Sequence, residues 1–172
     1  MRHTTALAPL VLLLALCGCY VSSTPLGPPG RIDADAALVG EWRCVPPPGD
    51  LSDERATVTV FPFDASQYYV EWTEKEETTR YRAYGTPVGA QVLLNVCEVT
   101  PVLMPGPERV VRKPNWMFVR YRIDAARQLE IAVVRDEAFK GLSEQDSLNA
   151  ILARVADEAI YEPFAVCTRK PG

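Results

Sequence analysis

Few side chains in this sequence have the types and spacing that bond-making chemistry requires. Glu74, Glu76 and Glu77 crowd one short stretch, and Asp136 and Glu137 form a second acidic pair. Hydrolysis by acid–base catalysis needs two carboxylates facing each other across a cleft at a defined separation. Acids adjacent in sequence beside a turn do not supply that, and these read as solvated surface. The one histidine, His3, sits in an N-terminal stretch that reads as a leader. The rest of the chain therefore has no imidazole for Ser-His-Asp or Cys-His catalysis, or for a His-ligated metal. Cys44, Cys97 and Cys167 lie too far apart for the close pairs of a structural zinc site. With no glycine-rich phosphate loop either, the expectation is a protein that is not an enzyme and carries neither cofactor nor metal.

Two groups have the chemistry of binding instead. Tyr68, Val70 and Trp72 alternate onto one face of a strand, and Tyr81 falls on the next. In a barrel they would line a ligand cup, or else fill the core. The long connection 101–115 carries Arg109, Arg112 and Lys113 between prolines. It is a contact surface for an anionic partner or lipid headgroups, or else a solvated loop. Cys97 reads as a small buried apolar residue, since no histidine stands by to lower its pKa.

The elements that position these groups follow from composition and period. The chain has 172 residues, 48% hydrophobic and 23% charged, which fits one globular domain. A net charge of −4 leaves no basic surplus to neutralise a phosphate backbone, so nucleic acid is not an expected partner.

Arg2 followed by the apolar run 6–16 has the form of a secretory signal, too short for the roughly 20 residues that span a bilayer. It ends in Leu16-Cys17-Gly18-Cys19. This resembles the lipobox of bacterial lipoproteins, in which the cysteine after a small residue is lipidated and becomes the first residue of the mature chain. Cys19 follows Gly18 and fits, whereas Cys17 follows the bulky Leu16 and does not. The resemblance implies acyl chains on Cys19 and a protein anchored to a membrane rather than spanning it. Tyr20, in place of an aspartate, implies sorting to the outer membrane, facing the periplasm. The alternative is an ordinary signal peptide cut near Gly18. Residues 19–37 combine clustered proline and glycine with no apolar period, so an extended, flexible tether is expected there. The expected plan is a lipoprotein signal peptide over 1–18, the lipidated cysteine and tether over 19–37, and a folded domain over 38–172.

From residue 38 the period is mostly two. Strands are expected at 38–45, 56–63, 67–73, 78–84, 91–99, 116–123, 128–135 and 164–169, with turn chemistry between them, including Gly85-Thr86-Pro87. Over 143–158, Leu148, Ile151, Leu152, Val155 and Ala159 recur at helical spacing. Ser143 and Asp146 are placed to cap that helix. The fold class expected is mainly β: an antiparallel eight-stranded meander barrel with one amphipathic helix before the last strand.

Gly40-Glu41-Trp42 opens the first of these strands and Arg169 ends the last. That combination resembles the calycin superfamily, the lipocalins and their small bacterial relatives. In these, Gly-X-Trp on the first strand lies under a late arginine that closes the barrel floor. The resemblance spans 38–169 in topology and implies closure by Gly40, Trp42 and Arg169, with the guanidinium over the indole. With Trp42 beside Arg169 on antiparallel strands, the same register puts Cys44 opposite Cys167 and implies a disulfide between them. Three buried thiols, or a pairing through Cys97, are the alternatives. The function implied is a lipid-anchored periplasmic lipoprotein binding a small apolar or amphipathic ligand. The alternative is a protein-interaction module, an inhibitor or accessory subunit of an envelope complex, with a filled barrel.

Overall fold

The computed structural model describes residues 18–50, 52, 54–99 and 114–170. The leader up to residue 17 and the loop residues Arg109, Arg112 and Lys113 lie outside the described residues. The strands are β1 (Val21–Ser22), β2 (Gly40–Val45), β3 (Ala56–Pro62), β4 (Gln67–Glu74), β5 (Glu77–Val88), β6 (Gln91–Glu98), β7 (Trp116–Ile123), β8 (Gln128–Val134) and β9 (Tyr161–Arg169). The helix α1 (Glu144–Ala153) lies between β8 and β9. From β2 to β9 each strand pairs antiparallel with the next, and β9 returns to pair with β2. The result is the closed eight-stranded meander barrel expected from the period of two, with the helix before the last strand.

Because side chains alternate between the two faces of a strand, the registers assign every paired residue to the inside or the outside. Trp42, Cys44, Val58, Ala83, Leu129, Ala165 and Cys167 point inward and form one buried cluster with Leu38. A second buried cluster lies on the outer wall of β5 to β8. There Val88, Leu93, Phe118 and Val134 pack against Leu148, Ile151 and Val155. The helix is thus amphipathic for a reason: its apolar stripe covers a sheet face that would otherwise meet water. Ser143 caps it by accepting from the Asp146 N–H at 3.2 Å. It is shorter than its apolar spacing predicts, because Arg154 closes the last turn and Asp157 caps a separate 3-10 turn, Glu158–Ile160.

Residues 19–37 are not the extended, flexible tether that their composition predicts. Tyr20 is 7% exposed and stacks on Phe118, with Phe139 against its edge. The Tyr20 N–H donates to Val134 O at 2.8 Å, and β1 pairs with β7 through Val21 and Met117. Further along, the Leu26 N–H donates to Oδ1 of the fully buried Asn95 at 2.8 Å, and the Tyr84 hydroxyl donates to Gly27 O at 2.7 Å. The chain then passes from the outer wall to the barrel end, where Ile32 meets Gly85. The proline-rich composition removes helical and ladder propensity, but it does not prevent a chain from being held by single side-chain contacts.

Gly85 likewise departs from expectation. Gly85-Thr86-Pro87 does not form a turn; β5 continues to Val88 and the turn falls at Gly89, where φ is +59°. A Cβ on Gly85 would lie 2.6 Å from Ile32 Cδ1 and 3.0 Å from Val92 Cγ1, so this glycine serves close approach rather than a bend. Gly85→Val should therefore destabilise the protein by about 1–3 kcal/mol through overpacking. The loss should shrink when Ile32→Ala is present in the same chain. Denaturant midpoints of the single and double variants check this, and a Gly85→Val midpoint equal to wild type would contradict the packing of Ile32 on β5.

Candidate functional site

The barrel has one end built shut. Arg169 ends β9 opposite Trp42, and its guanidinium carbon lies 4.8 Å from the indole centroid. The same guanidinium donates to Ala37 O and Val39 O, each at 2.7 Å, while Trp42 Nε1–H donates to Leu38 O at 2.9 Å. Gly40 has φ of +134° and leaves room for the Arg169 head, 3.6 Å from where a Cβ would stand. The chain thus folds over the floor and is pinned there by both members of the Trp–Arg pair. Trp42 is buried but Arg169 is exposed, and a cation–π contact with an exposed cation is worth about 0.5–1 kcal/mol; the two carbonyl contacts give that cation its place.

Asp35 completes the floor from inside. The Tyr121 hydroxyl donates to Asp35 Oδ2 at 3.0 Å, and the Asp35 N–H donates to the Tyr68 hydroxyl. Burial, then the neighbouring Asp35 charge and its hydrogen bond, push the Tyr121 phenol well above its usual range. Burial does the same to Tyr68. Both phenols therefore stay neutral and serve as hydrogen-bonding groups rather than acids.

Above the floor, Cys44 and Cys167 face each other across the β2–β9 seam and are joined by a disulfide. The bond closes a separation of 123 residues. Cys97 is half-buried on the outer parity of β6, and burial raises its thiol, which is the reverse of nucleophile activation.

The residues predicted to line a cup divide by depth. Tyr68 is buried at the floor and belongs to the Asp35 contacts. Val70, Trp72 and Tyr81 point inward on β4 and β5 with partial exposure, as do Leu94, Val96, Met117 and Val119 on β6 and β7. On β2, β3 and β9 the inward Trp42, Cys44, Ala56, Val58, Val60, Ala165 and Cys167 are buried. One wall of the interior is thus apolar and only partly buried, packed against a more deeply buried opposite wall. At the end opposite the floor the Trp72 indole N–H donates to Glu74 Oε1 at 2.8 Å, and Glu77 and Glu98 register inward beside it.

A broad depression of about 1260 Å³ lies elsewhere, across β7, β8 and β9. It takes in Arg120, Arg122 and Glu130 outside the barrel and Asp35 and Tyr121 inside, and includes none of Tyr68, Val70, Trp72 or Tyr81. Arg122 pairs with Glu130 at 2.7 Å and Arg120 with Glu158 at 2.6 Å, so both of its arginines are already paired. Among the described residues no group of His, Cys, Asp or Glu is arranged to hold a metal ion. No helix among them is long and apolar enough to cross a membrane.

Sequence reasoning missed the contribution of Asp35 and Leu38 to the floor. It also missed that Cys19 is bridged to Arg135 at the barrel end opposite the floor. The available signal lay in the partners: Val92-Leu93-Leu94 and Ala132-Val133-Val134 are apolar on both faces, which a strand with one wet face does not need. No protein-family model, curated protein or solved structure matches this chain.

Replacing Cys44 and Cys167 with alanine should lower unfolding free energy by about 2–5 kcal/mol, as expected for a bond closing so long a loop. Thermal denaturation checks the size. Non-reducing peptide mapping should recover the Cys44–Cys167 pair, and a peptide joined through Cys97 would contradict the β2–β9 register.

Proposed function

We propose that this protein is a bacterial lipoprotein, lipid-anchored at Cys19 to the periplasmic face of the outer membrane, whose lipocalin-like barrel binds a small apolar or amphipathic molecule. The anchor reading rests on Leu16-Cys17-Gly18-Cys19 behind a short apolar run. The Cys44–Cys167 disulfide agrees with an oxidising compartment. The observation that carries the binding reading is the half-open inner wall. Val70, Trp72, Tyr81, Leu94 and Val96 point into the barrel, yet none is fully buried. Apolar side chains that line a reachable interior, with a few polar groups near the mouth, have the make-up of small-molecule sites.

A second reading, contact with another envelope protein, is favoured by one outer patch. Phe61 and Phe63 are exposed, Phe63 at 54%, with Tyr69 tilted against Phe61 and Arg82 over the Phe63 ring. Aromatic and arginine side chains of this kind are enriched at interfaces.

The two readings separate by native mass spectrometry of the protein exported with a cleavable signal and Ala in place of Cys19. The ligand reading predicts a stoichiometric small-molecule adduct, and loss of that adduct in Leu94→Trp, which fills the mid-barrel. A reproducibly adduct-free protein that also fails to bind a fluorescent fatty acid saturably would overturn it in favour of the interaction surface.

A further inference from the structure

We propose that the outer wall over the β2–β9 seam carries a binding site for a phosphate monoester, built by Arg43, Arg55 and Lys75. The site lies outside the barrel, and neither the anchor at Cys19 nor the barrel interior enters the argument.

The first observation is a polar row made by register. Arg43 stands between Thr57 on β3 and Thr168 on β9. Thr73 on β4 continues the row past Thr57, and Gln128 on β8 continues it past Thr168. Cys44 and Cys167, the chain neighbours of Arg43 and Thr168, point inward, so this row points outward. Arg43 thus has a threonine hydroxyl on either side, one strand spacing of about 4.8 Å away.

The second observation is the sign of the charge gathered there. A recess of about 520 Å³ opens over the row, and Arg43, Arg55 and Lys75 line it together with Thr57, Thr73 and Thr168. Among the described residues no carboxylate lines it, in a chain with 22 acidic and 18 basic side chains. The larger depression across β7, β8 and β9 instead takes in Asp35, Glu130 and Glu158. In the next outward row toward the floor the acids are taken, Glu41 by Lys170 at 2.6 Å and Glu71 by Arg80 at 3.2 Å. Among the described residues neither Arg43 nor Arg55 has a carboxylate partner. Lys75 meets Glu54 only at 3.8 Å, with both side chains more than half exposed, a contact that water and salt weaken.

The third observation is the backbone at Lys75, at the rim, the barrel end opposite the floor. It sits in the tight turn between β4 and β5 with φ of +56°, where glycine or asparagine is favoured. A lysine holds that position against the backbone preference, and its side chain reaches the recess.

Three cations around one recess exceed what a single carboxylate can balance. A phosphate monoester carries a charge of about −1.5 to −2 and three acceptor oxygens, which suits arginine forks and hydroxyl donors together. The described lining includes no aromatic side chain on which a base could stack, so the group bearing the phosphate is not a nucleobase. Val45 and Val166 also line the recess, so it is complete only where β2 and β9 have paired, and the Cys44–Cys167 bond fixes its two sides.

Titration calorimetry on the exported Cys19→Ala protein tests this, with glucose 6-phosphate, inorganic phosphate and glucose as probes. Flotation of the same protein with phosphatidylcholine vesicles, plain or containing phosphatidic acid, tests a headgroup as the source of the ester. Saturable binding of one phosphate probe per protein is expected, with no heat from glucose. Arg43→Gln should weaken it about tenfold or more. Lys75→Gly should weaken it several-fold while the thermal midpoint stays or rises, because glycine suits that turn; loss of fold cannot then pass for loss of the site. Lys140→Gln removes one charge in the β8–α1 connection and should leave binding unchanged. Binding of glucose 6-phosphate without flotation supports the site and assigns it a soluble ester. Arg43-dependent flotation on phosphatidic acid alone supports the site and assigns the ester to a lipid headgroup. No saturable binding of any phosphate probe, or binding that Arg43→Gln and Lys75→Gly leave unchanged, overturns the proposal.

Discussion

β2 and β9 must find each other before anything else in this molecule is complete. Until they pair, β2 and β9 are open edges with unsatisfied backbone groups. The seam they form carries the Cys44–Cys167 disulfide and the Trp42–Arg169 contact within three consecutive residues of each strand. Closing so long a loop costs chain entropy that grows slowly with length, and the covalent bond removes most of that cost from later refolding. The seam also governs the floor. Arg169 holds the carbonyls of Ala37 and Val39, and Trp42 holds that of Leu38. A barrel that failed to close would lose its floor along with its last strand.

The outer wall imposes a second requirement. β5 to β8 present Val88, Leu93, Phe118 and Val134 outward. Left bare they would form an apolar patch larger than a soluble surface tolerates. The helix covers part of it and residues 20–27 cover the rest. Asn95 makes that cover specific. It is 0% exposed, its amide N–H donates to Thr86 Oγ1 at 2.8 Å, and its carbonyl oxygen is met by Leu26 N–H. Once the segment covers Asn95, the Leu26 N–H satisfies a carbonyl oxygen that would otherwise be buried unpaired, at a cost of about 1–3 kcal/mol. The segment is therefore a structural layer of the barrel, and the position of Cys19 at the rim follows from it.

The strands were legible because their alternation is mostly kept from Gly40 onward, and one inner face demands it. The closing pair was legible because Gly40-Glu41-Trp42 and Arg169 stand at the two ends of that alternation. Residues 19–37 were not, for a physical reason. Their contacts are isolated ones, Tyr20 in an aromatic cluster, Ser22 on Glu144, Leu26 on Asn95 and Asp35 on two tyrosines, and isolated contacts leave no period. Gly85 misled for a related reason. A glycine needed for close approach of Ile32 looks in sequence like a glycine needed for a turn. Of the inner residues, Tyr68 and Trp72 share a face but not a role, since only the packing of Asp35 separates floor from wall.

The account turns on whether residues 19–37 are part of the barrel. Amide hydrogen exchange on the folded protein, resolved to single residues, tests this most directly. The N–H groups of Tyr20, Leu26 and Asp35 each donate to a partner on the barrel. They should exchange slowly, with protection approaching that of β4 to β7. Exchange of all three at the rate of an unstructured peptide, beside a protected barrel, would contradict it and restore a free tether between the anchor and the fold.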